Sequence, residues 1–186
     1  MMAPPTVLEA IGTALRPVRA GRNRSRLAAL APPLSLGLSS SAFRDGGAMP
    51  DRYGGRGVGV NLSPPLRWTG VPADTAALAL AIEDEDVPLP RPLMHTVAVL
   101  DPTLDHLDEG SLQPGALGIR FFKTPLGYGY SGPRPSPGRG AHHYRFYLFA
   151  VPRPIPDDVT TRHDLFRVMR DCATARGVLT GTYERP

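Results

Sequence analysis

The segment that decides the fold runs Ala76-Ala-Leu-Ala-Leu-Ala-Ile82, then Glu83-Asp84-Glu85-Asp86, then Val87-Pro-Leu-Pro-Arg-Pro-Leu93, then Met94-His-Thr-Val-Ala-Val-Leu100. Alanine and leucine propensity argues for a helix over 76–82. Only seven apolar residues lie there, however, bounded by Pro72 and by four carboxylates, which is the length of a buried strand. The reading is strand, and Met94–Leu100 is a second one, ended by Asp101-Pro102. The acidic run between them is costly, because adjacent carboxylates disfavour one another's ionisation. A fold tolerates that in solvent, or where a cation, proton or histidine offsets it. Taken alone, the run reads as a solvated loop.

Outward from this pair, the pattern stays strand-like. Leu34, Leu36 and Leu38 alternate with small residues as in a half-buried strand, and Val58–Val60 reads as another short one. Trp68, the single tryptophan, belongs in a core. Ile119–Lys123 is a weaker strand and Tyr144–Val151 a clear aromatic-rich one, after the turn chemistry of residues 127–143. Thr161–Ala175 reads as a helix with Leu165, Phe166, Met169, Cys172 and Ala173 inward and Gly177 as its C-cap. Near the start, Thr6 and Glu9 form a capping box for a short amphipathic helix over 6–15, with Leu8, Ile11 and Leu15 on one face. Arg16, Arg19, Arg22, Arg24 and Arg26 follow without an intervening acid, as a linker whose helix docks on the domain or on a partner.

The division is therefore residues 1–33 as a helical, Arg-rich leader and 34–186 as one domain. No βαβ alternation and no repeat appears. The fold class is mainly β, an antiparallel β-sandwich with peripheral helices, including one near the C-terminus.

The 22 prolines and 20 glycines among 186 residues agree with a loop-rich β architecture. The formal charge of +4 comes almost wholly from arginine, Lys123 being the one lysine, and does not by itself indicate nucleic acid. A single cysteine, Cys172, excludes an internal disulfide and fits a reducing, cytoplasmic setting. No run is long enough to span a membrane, and the N-terminus does not follow the secretory pattern.

Three polar groupings fall at strand ends. Asp84 and Asp86 close one strand, and their i, i+2 spacing turns both to one face, with Glu83 and Glu85 turned away. His95 opens the next, and His142, His143 and Tyr144 open the aromatic strand. Acids behind imidazoles favour imidazolium, which donates with a tyrosine hydroxyl to a phosphate-like oxygen. The acids also suit an ammonium group. Two histidines and a carboxylate can ligate a metal, but no H-x-x-x-H or H-E-x-x-H pattern occurs, so metal ranks below an anion pocket. No G-x-S-x-G elbow is present, Cys172 sits on an apolar helix face, and His106 and His163 lie in polar, surface contexts.

These pieces together resemble the phosphatidylethanolamine-binding protein family, which includes the Raf kinase inhibitor protein. The resemblance covers about residues 34–184. It rests on Ser41-x-Phe43-x-Asp45-Gly46 with Met49-Pro50, Ser63-Pro-Pro-Leu-x-Trp68, Asp84-x-Asp86-x-Pro88 and His95. It continues in Gly132-Pro133-x-Pro135-x-Pro137-Gly138, His142-x-Tyr144 and Gly181-Thr-Tyr183. It implies a Greek-key sandwich with a small anion pocket lined by Asp84, Asp86, Pro88, His95, Gly132, His142, Tyr144 and Tyr183. Family members bind phosphate-like groups or phospholipid head groups, and some inhibit kinases or proteases. Glu85 and Val87 depart from the usual Asp-Pro-Asp-Ala-Pro loop, Thr96 replaces an aromatic residue and His143 an arginine. Each change should weaken binding of a doubly charged phosphate.

The leading expectation is a non-catalytic protein that binds a small anionic or zwitterionic ligand such as phosphate or phosphoethanolamine, with no cofactor and no metal. The alternative is an enzyme using Asp84, Asp86, His95 and His142 for acid/base isomerisation or cyclisation. A further alternative is an inhibitor of a kinase or protease that docks through the pocket rim and the leader. A protein partner and a homodimer are left open.

Overall fold

The structure is a computed structural model that describes residues 6–185. Its centre is strand β5, Ala77–Asp84, which pairs antiparallel with β6, Leu93–Leu100, on one side and β9, His142–Val151, on the other. Every residue of β5 is buried. Its alternate side chains feed two cores: Leu78, Leu80 and Ile82 enter one, and Ala77, Ala79 and Ala81 enter the other beside Tyr147 and Phe149. Burial on both faces explains why helix-favouring residues form a strand here, since a doubly covered strand reads as a continuous apolar run.

The large sheet is completed by β1 (Leu34–Ser35), β3 (Gly47–Ala48), β8 (Ile119–Phe121) and β10 (Ala175–Tyr183). Its order is β1-β10-β9-β5-β6-β8, with β3 also alongside β10. The small sheet is β2 (Gly37–Ser39), β4 (Leu66–Thr69) and β7 (His106–Leu107), in the order β2-β4-β7. The small sheet sends Leu66, Trp68 and Leu107 into the first core, so the two sheets share it. Trp68 is buried, as its composition suggested, with Nε1–H donating to Leu104 O at 3.1 Å. Helix α2, Arg162–Cys172, covers the opposite face of the large sheet through Leu165 and Met169.

Four expectations need correction. The Leu34–Leu38 run is two strands, because the chain leaves the β10 edge after Ser35 and joins β4 at Gly37, with Leu36 buried between. Val58–Val60 is a turn closed by a single Arg56–Gly59 bridge, with Gly57 at positive φ. Helix α2 stops at Cys172 with Ala173 as C-cap. Gly177 caps nothing, because residues 175–183 form β10, and a Cβ at Gly177 would stand 3.0 Å from the Leu38 side chain.

The leader lies on the domain. Helix α1, Val7–Ala14, has the Thr6–Glu9 capping box. A helix this short is marginal alone, and it is held by docking. Gly12 abuts the Gly/Pro loop so closely that a Cβ would meet Pro137 O at 1.9 Å. The Arg16 Nε–H donates to Gly138 O at 2.6 Å. Farther on, Leu27 is fully buried in the second core. No helix among the described residues is long and apolar enough to cross a membrane.

Candidate functional site

The site forms where β5, β6 and β9 end together. Asp84 and Tyr144 sit opposite each other in register on β5 and β9, so their side chains share a face. His142 follows on that face by strand alternation. His95 reaches it by a different route. Pairing of β5 with β6 passes from Ile82–Thr96 to Glu83–Met94, which leaves His95 as the extra residue of a bulge. A bulge re-aims a side chain, and here it brings the His95 ring edge-on to Tyr144 at 5.2 Å between centroids.

These four residues line a cavity of about 180 Å³. Ser131, Gly132 and Arg134 of the Gly/Pro loop form one wall, and Val87, Pro88, Leu93 and Leu126 form an apolar one. The roof is α1, through Leu8, Ile11, Gly12 and Leu15. Leu8 remains 63% and Ile11 51% exposed, so the mouth is apolar. The roof, Arg134 and Arg139, which also lines the cavity, were not among the sequence-derived pocket residues. The one available signal was the shared face of Leu8, Ile11 and Leu15.

The polar groups are tightly oriented. The His142 Nδ1–H donates to Asp84 Oδ2 at 2.8 Å, and the Asp86 backbone N–H to Asp84 Oδ1 at 2.8 Å. The buried Nε2 of His142 has no partner among the described residues, and the hydroxyl of Tyr144, near Asp84 and the Arg134 backbone, has none of close geometry. Burial, reinforced by the Asp84 charge, holds the Tyr144 phenol far above its ordinary value, so it stays a neutral donor. The His95 Nδ1–H donates to Ser131 O at 2.7 Å, because a carbonyl can only accept. Burial lowers the His95 pKa, the Arg134 charge adds to that, and Asp84 opposes it. His95 is therefore neutral at pH 7, with Nε2 left as an acceptor.

The acidic run is not solvated. Glu83, Asp84, Glu85 and Asp86 are exposed by only 1%, 2%, 6% and 5%. The leader seals them, with Ala20 N–H donating to Val87 O and Gly21 N–H to Glu85 O, both at 2.9 Å. Each acid has its own partner. Ser25 Oγ–H donates to Glu83, and Glu85 pairs with Arg145 Nε at 2.6 Å. Asp86 accepts from His143 N–H at 2.6 Å and pairs with Arg19 at 2.6 Å. Burial pushes Asp86 up, but the His143 bonds and the Arg19 charge outweigh it and hold Asp86 below the carboxylate norm.

Of the residues singled out from sequence, Asp84, Pro88, His95, Gly132, His142 and Tyr144 meet at the cavity. Asp86 does not line it. The strand ends at Asp84, whose carboxylate caps the Asp86 N–H, and that local turn directs Asp86 to His143 and Arg19 instead. Tyr183 also lies away, its hydroxyl donating to Asp51 at 3.3 Å. Glu83 and Glu85 do face away from the cavity, Glu85 onto Arg145 and Glu83 onto Ser25 at the edge of a second depression. No group of three or more His, Cys, Asp or Glu residues placed to hold a metal occurs among the described residues.

Residues 39–184 match the family model described as phosphatidylethanolamine-binding protein. A UPF0098 protein of Mycobacterium tuberculosis is 33% identical over 150 residues, covering 80% of this chain and 70% of the relative. A crystal structure of a phosphatidylethanolamine-binding protein homolog from Chlamydia trachomatis is 30% identical, with TM-score 0.72, covering 82% of this chain and 99% of its own. YbcL of Escherichia coli, at 24% identity and TM-score 0.75 over 82% of this chain and 99% of its own, shares the fold.

Proposed function

From the premise that this chain belongs to the phosphatidylethanolamine-binding protein family, we propose that its cavity binds a small anionic or zwitterionic head group without turning it over. One observation carries the reading. Two buried polar groups, His142 Nε2 and the Tyr144 hydroxyl, are left without a partner of close geometry at one cavity, and burial without a hydrogen-bond partner is unfavourable for such groups. A phosphate-like oxygen accepting from the Tyr144 hydroxyl supplies the missing bond. Arg134 at the rim adds a charge-assisted donor.

The cavity suits one small group, not a whole lipid. Its roof is apolar, so an attached chain would leave along Leu8 and Ile11. Titrating phosphoethanolamine while following the ring signals of His95 and His142 tests the idea. Saturable shifts that vanish in Tyr144→Phe support it, and unmoved rings at millimolar ligand would sink it.

Catalysis is a second reading, favoured by the Asp84–His142 pair at 2.8 Å. A carboxylate behind one imidazole nitrogen with the other nitrogen free is the arrangement of a general base. A variant His142→Gln that still binds phosphoethanolamine but loses all turnover of a bound metabolite would establish it.

A further inference from the structure

On the other side of the acidic strand end lies a second depression, a groove of about 490 Å³. It is separate from the cavity, since Leu93 alone borders both. Its floor is apolar, built by Leu93 and Met94 at the start of β6 and by Phe166 of α2. Around it stand four arginines from three distant segments: Arg24 and Arg26 of the leader, Arg91 of the Pro-rich bend and Arg162 of α2.

None of these arginines pairs with a carboxylate among the described residues. Arg24 donates to Pro90 O at 3.4 Å and Arg162 to Lys123 O at 2.9 Å, both neutral acceptors. The one acid lining the groove, Glu83, is buried and hydrogen-bonded by Ser25. Burial pushes its pKa up to about 7, so at neutral pH it carries only part of one negative charge against the four arginines. Four guanidinium side chains around one apolar floor, with no carboxylate paired to any of them, leave the rim positively charged. An apolar floor with a few convergent charged groups, at this volume, is the make-up of a small-molecule site.

We infer that the groove binds a single-chain amphiphilic anion. Its chain lies on Leu93, Met94 and Phe166, and its carboxylate-type head sits among the arginines, whose planar forks match a carboxylate. This site goes beyond the head-group cavity and does not depend on it.

Decanoate, below its micelle concentration, is the probe, with the methionine methyl of Met94 and the His142 ring as separate NMR reporters. The expected result is a saturable shift at Met94 with His142 unmoved. Arg24 and Arg91 are exposed, so the double variant Arg24→Ser/Arg91→Ser should fold and should weaken binding roughly five- to tenfold. Unchanged affinity in that variant overturns the inference, as does decanoate moving His142 instead of Met94. A hexaglutamate peptide that shifts Met94 when decanoate does not would also overturn it, in favour of a protein partner. Failure of phosphoethanolamine to reach His142 would leave the Met94 response intact, so the two sites are tested independently.

Discussion

The cavity and the groove lie back to back, and adjacent residues of one strand define their polar character. Asp84 faces the cavity, where His142 and a backbone N–H supply it with hydrogen bonds. Glu83 faces the groove, where Ser25 is its one hydrogen-bond donor of close geometry and desolvation dominates. Strand alternation thus gives two neighbouring carboxylates opposite chemical settings. The cavity is small, pre-oriented and roofed by α1, whereas the groove is larger, apolar-floored and ringed with positive charge.

The largest effect should come from breaking the cavity side. His142→Ala leaves Asp84 buried without its ring partner, and removing one member of a buried pair costs about 3–5 kcal/mol. Urea unfolding at pH 7 should show that loss, and Asp84→Asn in the same chain should recover part of it. A loss below 1 kcal/mol would mean that Asp84 is not held by His142.

The groove side should respond with the opposite sign. The folded pKa of Glu83, about 7, lies above its ordinary value of 4.5. Its stabilising contribution is therefore full below pH 4.5 and is lost as pH rises through about 7. Glu83→Gln mimics the protonated form, so it should gain on the order of 3 kcal/mol at pH 8 and almost nothing at pH 4. A gain that is equal at both pH values would remove the contrast between the two acids.

The roof can be tested at Gly12. Gly12→Ala drives a methyl group into Pro137 O, which backbone on both sides must yield to. Overpacking of this kind costs roughly 1–3 kcal/mol. The amides of Ala20 and Gly21, bonded to Val87 O and Glu85 O, should then exchange faster, while those of β5 should not. Decanoate binding at the groove should change less than phosphoethanolamine binding at the cavity.

Why the sequence revealed some of this and not the rest follows from the kinds of signal involved. The apolar runs of β5 and β6 and the aromatic run of β9 announce buried strands by length. β10 does not, because Arg176, Gly177, Thr180, Gly181 and Thr182 look like turn chemistry, and it is pairing to β9 on one side and to β1 and β3 on the other that keeps them extended. Asp84, His95 and His142 were legible as strand-end polar residues. The bulge that turns His95 to their side is a matter of pairing between two strands, which no single segment records. The placement of Asp86 failed for a local reason, since the strand ends at Asp84, two residues sooner than alternation requires, where the Asp84 side chain caps the Asp86 N–H. The leader's apolar face was visible, but its docking site depends on Gly12 meeting a loop more than a hundred residues away.

The smallest effect belongs to the pair that ties the leader to the acidic run. The Arg19 side chain is 42% exposed and the Asp86 side chain 7%, so the contact is half screened by water, and such pairs contribute about 1 kcal/mol or less. Asp86 titrates below its ordinary value of 3.8 in the folded protein. Its contribution is present above pH 3.8 and disappears as pH falls through the lower folded value. Arg19→Ala should thus cost at most about 1 kcal/mol at pH 7, less in high salt, and nothing once Asp86 is protonated. His143 would remain on Asp86, and Leu27 would remain in the second core, so the leader should stay docked. A loss well above 1 kcal/mol, sensitive to salt, would show instead that charge and not packing holds the roof over the cavity.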